Sequence, residues 1–80
     1  MITSADIRQR IQMKPFSPFR IRTSSGEYYD ILHPEFAMVG KRIVVVGTPT
    51  KQTDPEFDQA HLVSIMHITA LEILPQHSMT

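Results

Sequence analysis

The sequence predicts a mainly β protein, with one short helix ahead of a five-stranded antiparallel sheet that bends strongly enough to close into a small barrel. Three observations predict it. Residues 19–47 alternate apolar and polar side chains in segments separated by glycine turns. Residues 43–46 read Ile-Val-Val-Val, which is typical of a strand covered on both faces, by the core and by the helix or another subunit. The sequence His-Pro-Glu at 33–35 predicts the bend, because proline lacks the N–H that a central ladder needs.

The helix is predicted over residues 3–13. Thr3 has the position of an N-cap, and Asp6 follows at the spacing of a capping box. The helix has to end before Pro15, because a residue that precedes proline is disfavoured in the α region. Residues 15–19, Pro-Phe-Ser-Pro-Phe, then form a stiff extended connector that brings two phenylalanines to the core.

The last two strands are separated by a tight corner near Met66–Thr69, because the apolar alternation slips there and then recovers. The loop 48–60 contains two prolines and three carboxylates, and it is either disordered or a partner-binding loop that Phe57 pins down. A frayed tail is expected over 75–80, within a single domain 1–80. The five strands are predicted over 19–24, 27–39, 42–47, 62–67 and 69–74.

Composition favours a soluble cytoplasmic protein. The 80 residues include no cysteine, the N-terminus has no apolar core of signal-peptide length, and no apolar run approaches the ~20 residues of a membrane span. The net charge is zero, which disfavours a protein whose whole surface binds nucleic acid. Residues 1–22 nevertheless carry a charge of +4 and residues 23–80 a charge of −4. The basic end either complements an acidic patch or contacts phosphate.

Catalysis, a metal and a cofactor are not expected. The sequence has no phosphate-binding glycine loop, and His61 and His67 would stand roughly 20 Å apart along an extended strand, too far to share a metal ion. Ser64 would lie on the opposite face of that strand from His67. An enzyme would require a pocket that joins His67 to a carboxylate such as Glu72 or Asp30.

The order of these elements resembles the Sm-like (LSm) family of small SH3-like barrels, which includes the bacterial RNA chaperone Hfq. The similarity covers about residues 5–75, with the arginine-bearing helix, the strand pair Phe19–Leu32 and the corner Met66-His67-Ile68. The chain also resembles small bacterial proteins, without an activity that can be named, that share a PFxPFxI start, an HPE bend and an HI corner.

The Sm-like resemblance implies subunits that join edge to edge through their last two strands into rings that hold uridine-rich RNA near the pore. His67 matches a binding position of that family, and Arg8, Arg10 and Lys41 would supply phosphate contacts. The long acidic loop 48–60 departs from the short turn of RNA-binding relatives. The sequence therefore predicts a non-catalytic homo-oligomer, associating through strand edges, that binds a macromolecule. A protein partner is preferred to RNA because the net charge is zero.

Overall fold

The architecture of the protein is one short helix and two three-stranded antiparallel sheets. The computed structural model describes residues 1–51 and 56–75. Sheet A has the strand order β2-β1-β6 and sheet B the order β3-β4-β5. Two 3₁₀ turns, Pro34–Phe36 and Ile65–His67, lie where the chain passes between the sheets. The elements are α1 Ser4–Gln12, β1 Phe19–Thr23, β2 Tyr28–Ile31, β3 Ala37–Val39, β4 Ile43–Thr48, β5 Gln59–Ser64 and β6 Ile68–Ile73.

The predicted capping box is confirmed at the start of α1. The amide of Asp6 donates to Thr3 Oγ1 at 3.2 Å, and the amide of Thr3 donates to Asp6 Oδ2 at 2.9 Å. The helix ends at Gln12, and the side chain of Ile7 is fully buried in the core. The helix is therefore fixed at its N-terminus by local hydrogen bonds and along its length by packing.

The strand expected over 27–39 is two strands, β2 and β3, that belong to different sheets. Pro34 begins a 3₁₀ turn in which the amide of Phe36 donates to the carbonyl of His33 at 3.0 Å. The predicted bend is thus a complete interruption, because the turn takes the residues between the two strands out of either ladder. The expected closed five-stranded barrel is not found, since the strands of the described residues divide into two separate sheets.

The strand expected over 62–67 is β5, which begins and ends three residues earlier than expected. Gln59 and Ala60 extend the ladder by pairing with the last residues of β4. The 3₁₀ turn Ile65–His67 then forms the corner that the sequence predicted slightly later in the chain. Residues 52–55 of the expected loop and 76–80 of the expected tail lie outside the described residues.

The core lies between the two sheets and under α1. Phe19, Ile21 and Ile31 line it from sheet A. Phe16 of the connector packs edge-on against Phe19, with ring centroids 6.2 Å apart. No charged or polar residue of the described chain is buried, so packing rather than a polar network holds the sheets together. The remaining buried hydrophobic residues are Ile7, Phe36, Val44, Val46, Val63, Ile65 and Ile68.

Phe57 holds the chain before β5 against sheet B, as the sequence suggested. Its ring lies 5.6 Å from the ring of Phe36 in an edge-on arrangement. The ring also lies directly over Gly47, where an added Cβ would stand only 2.5 Å from Phe57 Cγ. A glycine is required at this position because the phenyl ring takes the space of a side chain.

We expect Gly47→Ala to destabilise the protein by about 1–3 kcal/mol, because the new methyl group must displace the phenyl ring. Urea unfolding followed by circular dichroism measures the change. In a Phe57→Ala background the same substitution should cost little or nothing, because the obstructing ring is gone. Equal costs in the two backgrounds would contradict the contact.

Candidate functional site

A row of apolar side chains crosses the outer face of sheet B. Met38 of β3 lies opposite Val45 of β4, and Val45 lies opposite Leu62 of β5. Val44 and Val46 are fully buried, so the alternation along β4 directs Val45 to the outer face. Met38 is 71% exposed and Leu62 is 72% exposed, whereas Val45 between them is half-buried. We call these three residues the apolar row.

The apolar row is the second face of the strand that the sequence predicted to be covered on both sides. Ile43, which shares the outer face with Val45, is also exposed, at 40%. The cover expected from the helix is absent at the row itself, because Met38 and Leu62 are open to solvent. Adjacent exposed apolar side chains of this kind are typical of a surface that contacts another molecule.

The backbone beside the apolar row is an open strand edge. The amide of Ile65, just after β5, donates to the carbonyl of Arg42 at 2.9 Å, so the backbone groups of Ile65 face β4. In an antiparallel ladder these groups alternate, so the N–H and C=O groups of Ala60, Leu62 and Ser64 point away from β4. Because β5 is an edge strand of sheet B, these groups face outward.

The outer face of sheet A carries charged residues that pair across the strands. Arg20 Nε donates to Asp30 Oδ1 at 2.7 Å, and Arg22 Nε donates to Glu72 Oε2 at 2.7 Å. The guanidinium of Arg20 also lies 4.0 Å from the ring centroid of Tyr28. Sequence reasoning found the basic excess of residues 1–22 but not these partners, because cross-strand pairing depends on a register that composition does not reveal.

The four residues predicted to contact a ligand do not converge. Arg8 lies on the exposed side of α1, beside a shallow groove of about 430 Å³. Lys41, in the turn between β3 and β4, lines a second groove of about 550 Å³, and His67 lines a third of about 340 Å³. Arg10 is half-buried, and its Nη2 atom has no hydrogen-bond partner among the described residues.

Ser64 and His67 line the same groove, contrary to the expectation that they lie on opposite faces. The strand ends at Ser64, and the 3₁₀ turn that follows has three residues per turn, which returns His67 to the same side. Among the described residues no hydrogen bond joins the two side chains. Asp30 and Glu72 are paired with arginines on sheet A, whereas the carboxylate that lines this groove belongs to Glu27. The groove of His67 is therefore lined by neither Asp30 nor Glu72, the two carboxylates named from the sequence.

Comparison with known proteins finds no matching family model, no matching curated protein and no matching solved structure. These comparisons therefore neither support nor contradict the Sm-like resemblance. Within residues 1–51 and 56–75, no three histidine or carboxylate side chains are grouped closely enough to hold a metal ion. No helix in the same ranges combines the length and apolar character that a membrane crossing requires.

Tyr29 joins the two sheets and has a perturbed ionisation. Its ring lies 5.2 Å from the imidazole of His61, and its hydroxyl donates to Glu27 Oε1 at 3.2 Å. Burial raises the pKa of the Tyr29 phenol, and the hydrogen bond and negative charge of Glu27 raise it further. The protonated phenol therefore stabilises the fold. This contribution is fully present below the ordinary pKa of about 10 and is lost as the pH rises through the higher value of the folded state.

This pKa can be measured directly, because the chain has two tyrosines and no tryptophan. In a Tyr28→Phe variant, the ultraviolet absorbance of phenolate reports Tyr29 alone. We expect a higher titration midpoint in the folded variant than in the same variant unfolded in urea. Glu27→Gln should lower the folded midpoint without bringing it to the unfolded value, since burial remains. Identical folded and unfolded midpoints would rule out the described environment.

Proposed function

We propose that the protein is a non-catalytic, self-associating module that binds other macromolecules, and a protein partner in preference to RNA. The observation that carries this proposal is the apolar row beside the open edge of β5. Leu62 belongs to both features, since its side chain is 72% exposed and its backbone groups face outward. A surface with apolar side chains and unpaired strand groups is suited to association with another polypeptide.

The small size of the chain supports the same proposal. A domain of 80 residues buries only roughly 60–65% of the surface of its unfolded chain, so its margin of stability is thin. A second exposed apolar side chain on an edge strand, Ile73 of β6, is 62% exposed. Association that buries such side chains adds stability to a core of this size.

The charges favour a protein partner over RNA. Arg20 and Arg22 are paired with carboxylates, which reduces the positive charge that the N-terminal segment can offer to phosphate. Tyr28 is the exposed aromatic residue of sheet A, but the guanidinium of Arg20 already lies over its ring. The ring thus already has a cationic partner, and a base that stacked on it would have only the face that the guanidinium leaves open.

The Sm-like class remains the fold class that we propose for this module. It is supported by the order of elements, with a helix first, an interrupted second strand, and a 3₁₀ turn before the last strand. The pairing of β6 with β1 brings the two ends of the strand sequence together, as a barrel of that class requires. The strands form two separate sheets, so a closed barrel would require further pairing between sheet A and sheet B.

We expect size-exclusion chromatography with light scattering to give a mass above the 9.2 kDa of one chain, rising with concentration. A lysine at an edge position should reduce this mass, because it places a charge where two copies meet. Leu62→Lys and Ile73→Lys test the edges of β5 and β6 separately, and Met13→Lys, at the end of α1, is the control. A monomer at all concentrations would end the proposal of self-association.

We expect a labelled oligouridine to show no change in fluorescence anisotropy when the protein is added at low salt. The physical reason is the pairing of Arg20 and Arg22 with carboxylates. Binding that weakens steeply with added salt would instead support the Sm-like RNA-binding alternative. In that case Arg8→Ala, Lys41→Ala and His67→Ala would show which of the predicted residues contact the RNA.

A further inference from the structure

The four edge strands of the described residues are not equally protected against pairing with another chain. β2 contains Asp30, β6 contains Glu72, and β3 is only three residues long. Charged side chains and short strands are the usual means by which proteins prevent association at an edge. β5 has neither protection, because the six residues Gln59–Ser64 include no aspartate, glutamate, lysine or arginine.

We infer that the protein forms a symmetric dimer in which β5 pairs with β5 of a second copy, antiparallel, with Leu62 opposite Leu62. This inference rests on the proposed self-association and specifies its edge, its symmetry and its register. The pairing joins the two copies of sheet B into one continuous six-stranded sheet. The molecule that pairs with the open edge of β5 is thus a second copy of the same chain.

The register follows from which backbone groups face outward. Pairing around Leu62 places Ala60 opposite Ser64 of the second copy, and Ser64 opposite its Ala60. All three residues have outward N–H and C=O groups, so each pair exchanges two backbone hydrogen bonds. The outward groups of β5 between Ala60 and Ser64 are then all satisfied.

The charges at the two ends of β5 are complementary in this arrangement. Glu56 and Asp58 precede the strand and are exposed. Lys41 and Arg42 lie at its other end, because Arg42 accepts a hydrogen bond from Ile65 immediately after the strand. Antiparallel pairing brings the acidic end of each copy to the basic end of the other, about 10 Å away across two strand spacings. At that distance opposite charges attract, less so in salt.

The dimer also extends the apolar row. Residues directly opposite each other in an antiparallel pair have their side chains on the same face, so Leu62 of one copy lies beside Leu62 of the other. The row of Met38, Val45 and Leu62 then continues into the equivalent row of the second copy. A junction of two strands is small beside a standard interface of about 1,600 Å², so we expect a mass that depends on concentration.

The experiment uses cysteine, which the natural chain lacks. Leu62→Cys should form a disulfide-linked dimer on mild oxidation, because opposed residues of a hydrogen-bonded pair have Cα atoms about 5.5 Å apart, within the range a disulfide spans. Met38→Cys is the matched control, since Met38 is equally exposed on the same face but lies at the far edge of sheet B. It should remain largely uncrosslinked at the same concentration.

The register has its own test. Ala60→Cys and Ser64→Cys should each crosslink poorly alone, because each residue faces the other type across the dimer. A mixture of the two variants should give a disulfide-linked heterodimer. Leu62→Pro removes an N–H that points away from β4, so no hydrogen bond within sheet B is lost. It should therefore weaken dimerisation at least about tenfold while circular dichroism stays native.

The outcomes separate this inference from the proposed function. A dimer that dissociates with Leu62→Lys but not with Ile73→Lys, together with the Leu62→Cys crosslink, supports both. A larger assembly that both lysine variants disrupt keeps self-association but overturns the symmetric β5 pairing in favour of β5 against β6. An associated protein without the Leu62→Cys crosslink also overturns the register. A monomer in light scattering overturns the inference and the proposed function together.

Discussion

The interruption of the second strand at Pro34 is the constraint on which the architecture depends. Proline has no N–H to contribute to a ladder, and the 3₁₀ turn that it begins directs β2 into sheet A and β3 into sheet B. The turn Ile65–His67 has the same role between β5 and β6. The two turns place three strands on either side of a core of aliphatic and phenylalanine side chains. Each sheet has two edge strands, so the same turns that enclose the core also leave backbone groups exposed at the edges.

How a small protein manages its edges then determines what it can bind. Asp30 and Glu72 place charges on two of the edges, and both carboxylates are held by arginines of the central strand β1. Two of the basic residues of the N-terminal segment, Arg20 and Arg22, are therefore engaged within sheet A. Sheet B has no equivalent, and its edge strand β5 adjoins exposed apolar side chains rather than ion pairs. The asymmetry between the two sheets is the physical basis for preferring association of polypeptides to binding of RNA.

Features fixed by local chemistry could be predicted from the sequence, whereas features fixed by register could not. The capping box of Thr3 and Asp6, the turn with Gly26 at a positive φ of 91° and the presence of a bend at Pro34 each depend on neighbouring residues. The division of the expected strand 27–39 between two sheets was not predicted. The start of β5 at Gln59 was missed because its first three residues include the polar Gln59 and His61 and are held by pairing with β4. The apolar row was missed for a related reason, since its members are far apart in the chain and meet only through two strand pairings.

The predicted ligand residues also show that the sequence does not reveal which distant residues meet in the fold. A family resemblance transfers individual positions such as Lys41 and His67, but the structure places them in different grooves, on two sides of one 3₁₀ turn. A binding site that needs several of these side chains at one place is therefore not formed by the predicted ligand residues. Contact along a strand has a weaker geometric requirement, because every second residue of β5 presents the same backbone groups and a symmetric partner presents them in return. In the proposed dimer, the continuous row of the paired sheets would offer a further polypeptide an apolar strip twice as long as the strip of one copy.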